Sequence, residues 1–124
     1  MNINQPDTLH DLQVQFDRYE KALCSNDLPV LDELFWESPH TLRYGAGENL
    51  YGIDEIRAFR DARPSNGLNR DVLRTHITTF GTDFATTQIE FQRHGSDRIG
   101  RQTQSWVRMP DGWRVVSAHV SMMV

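Results

Sequence analysis

The chain has 124 residues, enough for one domain whose core folds without a metal or disulfide staple. Apolar residues make up 38% and charged residues 24%, the balance of a folded globular protein rather than a disordered one. A formal net charge of −4 excludes the broad basic surface that nucleic acid demands, while leaving room for a local positive pocket.

In chain order, "DTLHDLQVQFDRYEKALCSND" predicts a long first helix, with Asp7 or Thr8 as its N-cap. Leu9, Leu12, Phe16, Tyr19 and Leu23 recur at helical spacing and form one continuous apolar face. A short second helix follows in "PVLDELFW", with Pro29 at a favourable first-turn position. "HTLRY" reads as a strand, and "RYGAGENLYG" continues it into a glycine-spaced turn that carries Glu48 and Asn49. In "GIDEIRAFRDAR", Ile53, Ile56, Phe59 and Arg60 give a third amphipathic helix, which Pro64 and the "SNG" loop stop.

The remainder changes character. "VLRTHITTF", "FATTQIEFQRH", "RIGRQTQSWVRM" and "GWRVVSAHVSMM" are rich in β-branched and aromatic residues. "GTD", "GSD" and "PDG" separate them with turn chemistry. Three helices followed by a meander of four long strands predict an α+β domain over residues 1–124. The helices pack on one face of a curved, mostly antiparallel sheet, with a pocket between helix and sheet.

Cys24 is the only cysteine and reads as a small helix residue, so no internal disulfide forms and a reducing cytoplasm is expected. "MNINQPDTLHDL" lacks the pattern of a signal peptide, and no apolar run approaches the ~18 residues of a membrane span.

Few residues stand out for chemistry. Tyr19 lies on the apolar stripe of the first helix, either as a core aromatic or as a phenol projecting into the pocket. Alternation sets Arg43 opposite Leu42 and Tyr44. Arg43 then either meets solvent or sits buried, where its fixed charge calls for an anion and its planar fork suits a carboxylate. Gln102, Gln104 and Trp106 share one strand face, and the two amides line the pocket, pair across the sheet or face solvent. On the last strand, Trp113, Val115, Ser117, His119 and Ser121 align. His119 is there either a structural histidine or the best general acid or base. His10, His40, His76 and His94 lack ligand spacing, and no nucleophile elbow, phosphate loop or zinc pair occurs. Metal catalysis is disfavoured and no cofactor is expected, so the chemistry rests on positioned donors and charge.

"RYGAGENLYG", "GRQTQSWVR" and "GWRVVSAHVS" together resemble the AtzH-like group of the SnoaL-like branch of the nuclear transport factor 2-like superfamily, which includes the oxalurate-catabolism protein HpxZ. The likeness covers about Tyr19 to Met122. It implies a cone-shaped α+β fold, a homodimer formed through the outer sheet face, and a role in bacterial cyanuric acid and s-triazine catabolism. The implied reaction is that of a decarboxylating amidohydrolase, converting 1,3-dicarboxyurea to allophanate with loss of carbon dioxide. On that reading Arg43 clamps a carboxylate, Tyr19 donates a proton, and Asn49, Gln104 and His119 complete the binding shell. The rivals are a non-catalytic small-acid binding or accessory protein of oxalurate-type catabolism, and a pure dimerisation module.

Overall fold

The computed structural model describes Met1–Val124. Its elements are α1 (Pro6–Ser25), α2 (Leu28–Leu34), β1 (Leu42–Tyr44), β2 (Asn49–Tyr51), α3 (Ile53–Ala62), β3 (Arg70–Phe80), β4 (Phe84–Arg93), β5 (Gly100–Met109) and β6 (Gly112–Met122). The six strands form one sheet in the order β2-β1-β6-β5-β4-β3. Every neighbouring pair is antiparallel except β1 with β6. No helix is long and apolar enough to cross a membrane.

Some boundaries differ from the sequence-based expectation, among them the end of α2, which stops at Leu34 and leaves Phe35 and Trp36 outside it. The first helix begins at Pro6, so the capping residue is Gln5 and neither Asp7 nor Thr8. Proline lacks an N–H, but the first turn needs no donor there, which lets the helix start two or three residues early. The turn after Tyr44 also returns as β2, whose three residues pair with Tyr44, Arg43 and Leu42. So short a strand carries no periodic signal, and only its neighbour holds it extended.

Leu12, Phe16, Tyr19 and Leu23 of α1 are buried, as are Leu31 and Leu34 of α2 and Ile53 and Ile56 of α3. They cover the concave sheet face, where Ile89, Phe91, Trp106, Val115 and Val120 are also buried. A relay of polar groups runs through this core. The Trp106 indole donates to Thr87 Oγ1 at 3.0 Å, and the Thr87 hydroxyl donates to Gln104 Oε1 at 3.2 Å.

One irregularity in β6 decides which side chains look inward. Ser105 pairs with Ser117 but Trp106 pairs with Val115, leaving Val116 as an extra, unpaired residue. A bulge of this kind bends its strand and reverses the alternation beyond it. Trp113 and Val115 are therefore buried before the bulge, and Ala118 and Val120 after it.

Candidate functional site

At one end of the sheet the start of β3, the end of β4, the start of β5 and the end of β6 meet the last turns of α1. A small cavity of about 30 Å³ lies there. It is lined by Tyr19, Arg43, Arg63, Arg70, Arg93 and Gln102, with Leu23, Leu68 and Val120 supplying apolar walls.

Each arginine arrives by a different local cause. Arg43 occupies the inward position of β1, flanked by the fully buried Thr41, and its side chain is only 13% exposed. Arg63 ends α3 in extended geometry, because the following Pro64 disfavours a helical residue before it. Arg70 and Arg93 face each other directly across the β3–β4 pair. Like charges in that relation destabilise a sheet unless other groups compensate them. Phe91 cushions them, with its ring centre 4.3 Å from the Arg70 guanidinium and 5.6 Å from that of Arg93.

The counter-charges are fewer. Arg70 pairs with Glu20 of α1, with Nε 3.3 Å from Oε2, and it also donates to Gln102 Oε1 at 3.0 Å. Arg43 Nη1 lies 3.0 Å from Glu48 Oε1. Four guanidiniums thus face two carboxylates in a chain of net negative charge. Burial pushes Arg63 and Arg93 below the ordinary arginine range, and Arg43 acts in the same direction on both. Arginine does not deprotonate at neutral pH, so this direction registers uncompensated positive charge that an anion would relieve. Arg63 shows the deficit in its contacts as well, since its buried Nε and Nη2 have no hydrogen-bond partner.

A wider groove of about 510 Å³ runs between α1 and the β5–β6 hairpin. Its arginines already carry carboxylate partners: Arg18 with Glu33, Arg108 with Asp11, and Arg114 with Asp111. Charge points to the smaller cavity.

Of the residues singled out from the sequence, Tyr19 and Arg43 line this cavity together. Asn49 and His119 do not. Both stand directly opposite Tyr44, the outward neighbour of Arg43, and residues opposite one another share a sheet face. His119 is therefore exposed on the convex side, where its ring meets Tyr44 edge-on at 5.8 Å. The expected alignment of His119 with Trp113 fails at the Val116 bulge. Gln104 does face inward, but one pleat too deep. It is fully buried in the Thr87–Trp106 relay, and Gln102 takes the position on the cavity instead. Three arginines, Arg63, Arg70 and Arg93, escaped sequence reasoning. An Arg-Pro step at a helix end was the one local signal for any of them.

The AtzH-like family matches residues 1–124. The chain belongs to the AtzH-like family. A protein of unknown function from the DUF3225 family of Pectobacterium atrosepticum is 62% identical with a TM-score of 0.97, over 98% of this chain and 95% of that one. A cystatin-like fold protein from Burkholderia xenovorans is 44% identical with a TM-score of 0.95, over 100% and 98% of the two chains. A nuclear transport factor 2-like superfamily protein from Salmonella enterica, at 20% identity and TM-score 0.78 over 95% and 92%, shares the fold alone. No curated protein matches. The AtzH-like chain thus has the nuclear transport factor 2-like, or cystatin-like, α+β architecture, with three helices on a six-stranded sheet.

Proposed function

We propose that this AtzH-like protein is a metal-independent decarboxylating amidohydrolase that binds a small ureido dicarboxylate, 1,3-dicarboxyurea, and releases carbon dioxide to leave allophanate. The observation that supports this most is the charge count of the cavity: four arginines against Glu20 and Glu48 leave an excess that a dianion would balance. A guanidinium fork suits each carboxylate, and the Gln102 amide suits a ureido group between them.

The chemistry needs little beyond this placement. The small cavity widens to admit the substrate, one carboxylate docking on Arg43 with Arg63 and Arg93 alongside, while Arg70 and Gln102 hold the other half. The Tyr19 phenol delivers its proton to the nitrogen bearing a carboxylate. The bond between that nitrogen and the carboxylate carbon breaks, its electron pair stays on nitrogen, and carbon dioxide departs. Water returns the proton to the phenolate. The Tyr19 phenol is among the charges felt by Arg60 and Arg63, so cations stand beside the phenolate that forms. Substrate dianion plus one proton gives product monoanion plus carbon dioxide. The product has lost one of the two charges that the cavity balances, which favours its release.

The direct test follows allophanate formation from freshly generated 1,3-dicarboxyurea against the spontaneous rate. Acceleration supports the enzyme reading. Calorimetric binding without acceleration would instead support the accessory small-acid binder. Arg63→Met tests the excess charge. We expect KM to rise about tenfold, in line with the loss of one charge-assisted contact, while the melting temperature holds or rises because an unpartnered buried cation is gone.

The convex sheet face supports a homodimer. Tyr51 is 52% exposed and Tyr44 38% exposed, and their rings stand edge-on at 6.3 Å beside His119. Aromatic clusters of this kind are enriched in protein interfaces. Sedimentation equilibrium should give a dimer mass, and Tyr51→Glu should shift it to the monomer.

A further inference from the structure

Glu48 sits on the loop joining β1 to β2, closed by a hydrogen bond from Gly45 N to Glu48 O of 2.9 Å. Its side chain folds back over that loop. Oε1 reaches Arg43 Nη1 at 3.0 Å, and Oε2 accepts from Gly47 N at 3.2 Å. The fold-back depends on Gly45, where a Cβ atom would lie 1.9 Å from Glu48 Oε1. Residue 45 has no positive φ. Its lack of a side chain therefore serves the carboxylate above it, not the turn. The "GAGE" loop is shaped to lay an internal carboxylate on one of the arginines that line the cavity.

Resting on the dianion reading of the cavity, we infer that Glu48 is a specificity-determining residue that holds the place on Arg43 which a ligand carboxylate takes. A ligand gains Arg43 only by exchanging one carboxylate for another. An anionic ligand meets that condition, because the displaced Glu48 side chain, already 27% exposed, swings into solvent. A neutral urea or amide offers nothing equivalent to a buried guanidinium and leaves the Arg43–Glu48 pair intact. The same movement enlarges a cavity of only about 30 Å³. Glu48 thereby couples admission of the ligand to its charge.

Calorimetry with glutarate tests the exchange. This stable dianion separates its carboxylates by the same number of bonds as 1,3-dicarboxyurea, and its neutral diamide, glutaramide, is the control. Glu48→Gln should bind glutarate about five- to tenfold more tightly than the native protein, since the competing carboxylate is gone. Gly45→Ala should tighten binding in the same direction by pushing an intact Glu48 off Arg43, which keeps the test alive if Glu48→Gln misfolds. Adding Arg43→Ala to either variant should erase the gain, and glutaramide should show none. Equal or weaker glutarate binding by both variants, with Arg43→Ala still weakening the native protein, overturns the exchange while the dianion site stands. Glutarate binding that is absent throughout, or indifferent to Arg43→Ala, overturns the exchange and the dianion site together.

Discussion

Arg43→Ala is expected to lower kcat/KM for 1,3-dicarboxyurea by about two to three orders of magnitude, the usual cost of removing a preorganised charged donor from a reacting group. Stability should move far less. Arg43 contributes repulsion to the buried Arg63 and Arg93, and that repulsion disappears with its side chain. Glu48 keeps the company of Arg63 and Arg93 and is part-exposed, so it is not stranded in an apolar interior. The melting temperature should therefore fall by only a few degrees. Such a separation between activity and stability is what a charge held for binding produces. A collapse of both together would show that the cluster is a structural network, and the proposed substrate class would go with it. Arg43→Lys should recover part of KM and little of kcat, because an ammonium keeps the charge but loses the planar fork.

Tyr19→Phe should reduce kcat by about two to four orders of magnitude with KM within a few-fold, as expected for a group needed only when the proton moves. The ring is 5% exposed and tilts against Phe35 at a centroid distance of 6.2 Å, contacts that phenylalanine retains. Fold and dianion binding should survive, which calorimetry with glutarate would establish alongside single-turnover kinetics. A variant with undiminished kcat would remove Tyr19 as the acid and leave a water molecule held among the arginines as the proton source.

Much of the scaffold was legible residue by residue. The spacing of Leu9, Leu12, Phe16, Tyr19 and Leu23 marked a helix face, and all of it but the half-buried Leu9 is buried. Four β-branched runs separated by turn residues marked the meander, and β3 to β6 follow them closely. Alternation in β1 left Arg43 with two destinations. The packing of Thr41 and Leu50 on its side chose the inner one, for Leu50 stands opposite Arg43 and is buried. Glu48 had no explanation from its neighbours in sequence. It acquires one when Gly45 is seen as the floor on which its carboxylate rests.

His119 shows where local rules stop. Strict alternation aligned it with Trp113, but one unpaired residue, Val116, turned it to the opposite face. A bulge depends on how two strands accommodate sheet curvature, and neither strand announces it alone. Arg70 and Arg93 show the same limit from the other side, as each looks like an ordinary strand-end charge until pairing sets one against the other. By itself the sequence determined which segments coil and which extend, because helix and strand periods are properties of nearest neighbours. Tertiary structure alone decided that arginines from four separate places would share one small cavity, because a charge cluster exists only where distant segments meet and water is excluded.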